Sequence, residues 1–90
     1  MKKVVLAYFD KKIGAYNDPV FSPEFSDEDF IEQSRRMCAS DKISPKIFDF
    51  QLYRLGTFDD KSGEMELFDK PIFICSFSDF EYMKEKQKNA

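Results

Sequence analysis

The chain has 90 residues, enough for one domain spanning 1–90 and too few for two. It carries 14 Lys+Arg against 17 Asp+Glu, and its 42% hydrophobic and 34% charged residues describe a globular chain rather than a disordered one. The absence of His excludes imidazole-based triads and metal sites, two Cys cannot form a four-thiolate zinc site, and the net charge of −3 argues against a general polyanion binder.

Lys2 and Lys3 precede the apolar run Val4 to Phe9. The run is shorter than the roughly 7–15 residues of a signal-peptide core, and Asp10-Lys11-Lys12 ends it, so a first strand is expected. Both alternating sets, Val4, Leu6, Tyr8 and Val5, Ala7, Phe9, are apolar, which predicts a strand covered on both faces. Asp10 to Gly14 reads as a turn. Ala15 to Phe21 reads as a short second strand, placed at an edge or irregular because Pro19 has no N–H to donate.

Ser26 followed by Asp27, Glu28 and Asp29 is a helix start with acids at the positive dipole end. Phe25 and Phe30 have the spacing of a hydrophobic staple, and Phe30, Ile31, Ser34, Met37 and Cys38 form one helical stripe. A helix over about 27–39 follows. Phe48, Phe50 and Leu52 alternate with Asp49, Gln51 and Tyr53, the period of a half-buried strand, and Gly56 marks a bulge. Asp59 to Gly63 is turn chemistry, with Gly supplying positive φ, and Met65 and Leu67 begin a return strand. Asp69-Lys70-Pro71 reads as another turn, and Ile72 to Phe77 as a buried strand. Ser78, with Glu81 and the pair Phe77 and Tyr82, predicts a second helix over about 79–87. The expected fold class is α+β, a largely antiparallel sheet of 4–5 strands with two helices packed on one face. Nothing approaches the ~18 apolar residues of a membrane span.

The stretch Phe48-Asp49-Phe50-Gln51-Leu52-Tyr53-Arg54-Leu55-Gly56-Thr57-Phe58-Asp59-Asp60-Lys61-Ser62-Gly63 resembles the D-F-x-L-Y-x-L-G-x-F-D-D-x-x-G segment of the small nonstructural protein of gokushoviruses, which are single-stranded DNA phages of the microvirus group. Leu6-Ala7-Tyr8-Phe9-Asp10-Lys11-Lys12, with Tyr16-Asn17-Asp18-Pro19-Val20-Phe21, is similar to that family's opening segment. The two motifs bracket residues 1–77, and residues 78–90 carry no matching motif. The resemblance implies a nonstructural protein made in the host bacterial cytoplasm, acting in genome replication or packaging, with some members labelled DNA-binding. It carries over no catalytic residue.

The candidate sites divide by residue type. Asp59 and Asp60 lack the alternating acids and distal Glu of a calcium loop and read as a hairpin turn. Cys38 and Cys75 lie on apolar patterns without an activating base; a disulfide between them is one reading, and two buried core thiols are the reading favoured. Tyr8, Phe9, Tyr16, Phe21, Phe48, Phe50, Tyr53 and Phe58 lie on or beside strands, where they serve either as core or as a base-stacking face. Lys2, Lys3, Lys11, Lys12, Lys46, Arg54 and Lys61 are the cations available to phosphates. Residues 1–20 carry four bases and two acids, and residues 21–70 carry seven bases and twelve acids, so the basic end lies around the first turn. Lys11, Lys12, Tyr16 and Arg54 are therefore the nucleic-acid-binding candidates. The acidic helix start Asp27, Glu28, Asp29 and Glu32 reads as dipole complementarity or as a docking surface for a basic partner.

The expectation is a non-enzymatic phage accessory protein without cofactor or metal. It acts on a phage or host replication or packaging protein through protein–protein contacts, consistent with its aromatic surplus. Direct binding of single-stranded DNA by aromatic stacking is the alternative. Edges exposed in so small a sheet also suit a homodimer.

Overall fold

The computed structural model describes residues 1–40 and 42–82. Among these residues, five strands form one antiparallel sheet curled into a half-barrel, with one α-helix against one face. β1 (Lys2–Asp10) is central. β2 (Ala15–Tyr16) and β3 (Val20–Pro23) pair with one edge of β1, β4 (Phe50–Asp59) pairs with its other edge, and β5 (Met65–Ser76) pairs with β4 and forms the far edge.

The both-faced apolar pattern of β1 is explained by what covers it. Val4, Val5, Leu6 and Ala7 are all buried. Val4 and Leu6, with Tyr8, join the main core of Phe30, Cys38, Ile47, Leu52, Ile74, Cys75, Phe77 and Phe80. Each such aliphatic or aromatic side chain contributes about 1.5–3 kcal/mol on burial. Val5 and Ala7 point to the opposite face, because successive side chains of a strand alternate.

The helix, α1 (Asp27–Cys38), starts where the sequence places it. The Ser26 hydroxyl accepts a hydrogen bond from the Asp29 N–H at 3.2 Å, and the Phe25 and Phe30 ring centroids lie 5.8 Å apart across the cap. Phe30, Ser34 and Cys38 turn inward, and the buried Ser34 hydroxyl donates to the Phe30 carbonyl at 2.8 Å, so it enters the core satisfied.

Several expectations are corrected. Among the described residues the fold is mostly sheet with one α-helix, not an α+β sheet carrying two. Where the second helix was expected over about 79–87, Phe77–Phe80 forms a 3-10 turn, and residues 83–90 lie outside those described. Phe77 is completely buried, its ring 5.6 Å from Tyr8 and 6.4 Å from Phe80. Core burial of Phe77 overrides the staple to Tyr82 that its spacing suggested. Phe48 lies in a 3-10 turn, Pro45–Asp49, rather than in the strand. The two strands expected on either side of Asp69-Lys70-Pro71 are one twelve-residue strand, β5. Its register on β4 jumps from Gly56–Leu67 to Arg54–Ile72, so Phe68 to Pro71 bow out as a wide bulge that tolerates proline. The segment expected as one second strand is divided into β2 and β3 around Asn17-Asp18-Pro19, with Pro19 in the break.

Gly56 lies at the bulge where β1 passes from Val5–Gly56 to Leu6–Arg54, skipping Leu55. A Cβ on Gly56 would stand 2.8 Å from the Leu67 Cα and 2.9 Å from the Glu66 carbonyl carbon, and closer still to the Glu66 carbonyl oxygen. Only glycine lets β5 approach here.

Candidate functional site

The register separates the sheet into two unlike faces. Directly opposed residues of antiparallel strands share a face. The face of Val4, Leu6 and Tyr8 receives α1 and also takes Lys2 opposite Asp59 and Thr57 opposite Glu66. Among the described residues the other face carries no helix. Lys3, Val5, Ala7 and Phe9 of β1 lie on it with Tyr16 of β2 and Phe21 and Pro23 of β3. Gln51, Tyr53, Gly56 and Phe58 of β4 and Met65, Leu67 and Phe73 of β5 complete it. These paired positions hold a lysine and no acid.

On this face the aromatic side chains form a chain of edge-on contacts across four strands. Tyr16 lies 4.9 Å from Phe9 and 5.6 Å from Tyr53, and Tyr53 lies 5.6 Å from Phe73, with interplanar angles of 64°, 77° and 69°. Phe21 and Phe58 form a second pair at 5.1 Å. The three edge-to-face pairs each add about 0.5–1.5 kcal/mol beyond area burial, and Phe21 and Phe58 meet at a tilt of 53°. Val5 and Ala7 are buried on this face, while Tyr16, Phe21 and Phe73 keep 44%, 50% and 50% of their own surface in water. The Tyr53 hydroxyl donates to Gln51 Oε1 at 3.0 Å, which holds that ring upright between its neighbours.

Lys11 and Lys12 stand exposed in the turn that joins β1 to β2, one hairpin away from Tyr16. The turn is set by its backbone. Asp10 Oδ1 accepts from the Lys12 N–H at 2.9 Å, the Gly14 N–H reaches the Asp10 carbonyl at 2.8 Å, and Gly14 takes φ +68°. The Lys11 N–H donates to the Asp49 carbonyl at 2.9 Å, which ties the turn to the start of β4. Neither lysine forms an ion pair among the described residues.

Arg54 is placed elsewhere. It opposes Leu6 and so lies on the helix side, where its Nε donates to Asp27 Oδ1 at 2.6 Å and its Nη2 to the Phe25 carbonyl at 2.8 Å. Its guanidinium sits 5.0 Å over the Phe30 ring. Three of the four candidates, Lys11, Lys12 and Tyr16, are thus brought together, and Arg54 is separated from them and fully engaged.

The expected stacking set is divided in the same way. Phe9, Tyr16, Phe21, Tyr53 and Phe58 lie on the helix-free face, whereas Tyr8, Phe48 and Phe50 belong to or pack against the core. Phe73 was missed. Its run looked like a buried strand, but β5 is an edge and Ile72 and Phe73 are exposed. Its tyrosine neighbour across the ladder is a signal that only the register reveals.

The helix side offers different chemistry. A cleft of about 280 Å³ opens between α1 and the sheet, lined by Val20 and Ser22 on one wall and Gln33, Ser34 and Met37 on the other. Tyr8 also lines it, its hydroxyl pKa raised by burial and by the Cys75 sulfur. Cys38 and Cys75 are free buried thiols. Burial pushes the Cys38 pKa up to about 11 and raises that of Cys75, so both stay protonated and unreactive at neutral pH. At the β4–β5 tip, backbone N–H donors from Lys61 and Ser62 hold the Asp59 carboxyl below its ordinary value. Asp59 therefore serves the turn. Among the described residues no group of three or more acids or cysteines is gathered as a metal site, and no helix is long and apolar enough to cross a membrane.

No curated protein and no solved structure matches the chain. The family of phage ORF5 proteins matches it over residues 3–80, a span that takes in α1, the helix-free aromatic face and all of β5. The chain belongs to the Phage ORF5 protein family.

Proposed function

We propose that this phage protein is an accessory factor of the gokushovirus nonstructural type, non-enzymatic, working in the host bacterial cytoplasm. In this reading it acts in replication or packaging of a single-stranded DNA genome by laying the strand across its helix-free face. The observation that supports it is the acid-free register of that face, with Tyr16, Phe21 and Phe73 half in water and Lys3, Lys11 and Lys12 at or beside it. Aromatic side chains on an open sheet stack on bases of any sequence, and nearby cations take the phosphates.

A second reading has the same face meeting a phage or host replication or packaging protein instead. The half-exposed aromatics favour it too, since tyrosine and phenylalanine are enriched at protein interfaces.

Fluorescence anisotropy of a labelled single-stranded oligonucleotide at about 50 and 200 mM salt, beside a duplex control, separates the two readings. DNA binding predicts a preference for the single strand, affinity that falls with salt, and a shallower salt dependence in the double variant Lys11→Glu, Lys12→Glu. Absence of binding at both salts overturns the DNA reading and leaves the protein partner.

A further inference from the structure

α1 rests on β5 and on the turn Phe77–Phe80, away from β3, and the wedge left between α1 and β3 is the helix-side cleft. Leu6, Phe30 and Leu52 give it an apolar floor, and no charged residue lines it. At about 280 Å³ it lies below the roughly 300–1,000 Å³ of a small-molecule pocket and suits one large side chain. Two hydroxyls in its walls are already used, Ser34 on the Phe30 carbonyl and Ser22 on the Pro23 carbonyl. The Tyr8 hydroxyl and the Gln33 side-chain amide also line it, and neither makes a hydrogen bond among the described residues. Tyr8 packs against the core, where a tyrosine hydroxyl ordinarily has a partner.

The rim of the cleft is acidic. Residues 18–29, which form β3 and lead into α1, carry Asp18, Glu24, Asp27, Glu28 and Asp29 and no base. Asp18 precedes Val20 by two residues, Glu24 follows Ser22 by two, and Asp29 lies one turn before Gln33 on the same side of α1. Arg54 takes Asp27, while the other four acids are exposed and form no ion pair among the described residues. The helix dipole accounts for the acids of the first turn, but Asp18 and Glu24 precede the cap.

We infer that this cleft takes a tryptophan of a protein partner, from a segment in which lysine or arginine flanks the indole. The indole fills the apolar floor and its N–H donates to the Tyr8 hydroxyl. Tryptophan in a desolvated pocket is a typical interface anchor, and cations beside it meet the acidic rim, which also steers their approach. The same rim repels nucleic acid, so the occupant is a protein. The cleft lies behind the sheet, and the inference stands whether or not the helix-free face binds DNA.

Amide NMR shifts of the full chain, titrated with the peptide acetyl-Lys-Lys-Trp-Lys-Lys-amide, test it. Shifts should centre on Val20, Ser22, Gln33 and Met37. Affinity should fall about tenfold with alanine in place of tryptophan, and again about tenfold with glutamates in place of the lysines. Ser22→Phe, which fills the cleft from β3, should abolish binding, and Glu24→Lys with Asp29→Lys should weaken it about tenfold, both at unchanged far-UV circular dichroism. Oligonucleotide anisotropy should not change in Ser22→Phe, so the two surfaces fail separately. No shifts at millimolar peptide, equal binding of the alanine peptide, or shifts centred on Tyr16 and Phe73 overturns the inference. So does binding that survives in folded Ser22→Phe.

Discussion

Arg54 and Asp27 lie 27 residues apart in sequence and meet at 2.6 Å, joining the middle of β4 to the first turn of α1. The same guanidinium caps the Phe25 carbonyl and covers the Phe30 ring, so one side chain fixes how the helix enters the sheet. Arg54→Ala removes a charge-assisted hydrogen bond and a cation–π contact at a largely shielded position, and should cost about 1–3 kcal/mol in urea denaturation. Oligonucleotide affinity should not change. A selective loss of binding at unchanged stability would return Arg54 to the interface.

Gly56→Ala tests the close approach of β5. The added methyl meets backbone of Glu66 and Leu67, which cannot rotate away as a side chain can. The expected loss is about 3 kcal/mol or more. Hydrogen exchange should show β4–β5 amides losing protection before those of β1, and uniform loss across the sheet would point to a different cause.

Tyr16→Leu and Phe73→Leu keep apolar cover over the helix-free face and remove the π surface. If bases stack there, each should weaken single-strand binding about tenfold with little change in the melting temperature. Unchanged affinity in both variants would remove stacking as the mode of contact.

Cys38 gives a pH signature at the alkaline end. Its folded pKa is raised from 9.0 to about 11, so burial favours the thiol over the thiolate. The sign follows from linkage: the contribution is fully present below pH 9 and is lost as the pH rises toward 11. Wild-type stability should fall through that window, and Cys38→Ala should show a shallower fall from a lower start. Parallel curves would show that Cys38 does not set it.

The residues explain which parts of this fold could be read directly. The start of α1 was legible because its signals are local: Ser26, three following acids and the Phe25–Phe30 spacing all lie within one turn or its flank. β1 was legible because both of its faces are apolar, and Gly56 because a glycine inside a strand pattern marks a bulge. Phe77 defeated the same local grammar. Ser78 and Glu81 suggested a capping box, while the decisive contacts of Phe77, with Tyr8 and Phe80, include one reaching to β1. The unity of β5 was hidden by Pro71, which a bulged edge accepts and a central strand would not. For the site, Lys11, Lys12 and Tyr16 share one hairpin and were found together. Arg54 was not separable from them, because its side of the sheet is set by the Leu55 bulge. Phe73 joins the face only through its register with Tyr53.

The uneven placement of charge gives the molecule a front and a back. The acids of α1 and the Asp59 and Glu66 positions lie behind the sheet, while the paired positions in front hold Lys3 and no acid. If a polyanion binds as proposed, it is repelled from behind the sheet and drawn to the front. Added salt screens both effects at once, weakening the attraction in front and the repulsion behind. The apparent number of ions released on binding a polyanion would then be smaller than the number of lysines that touch it, and a shallow salt slope would understate the contact.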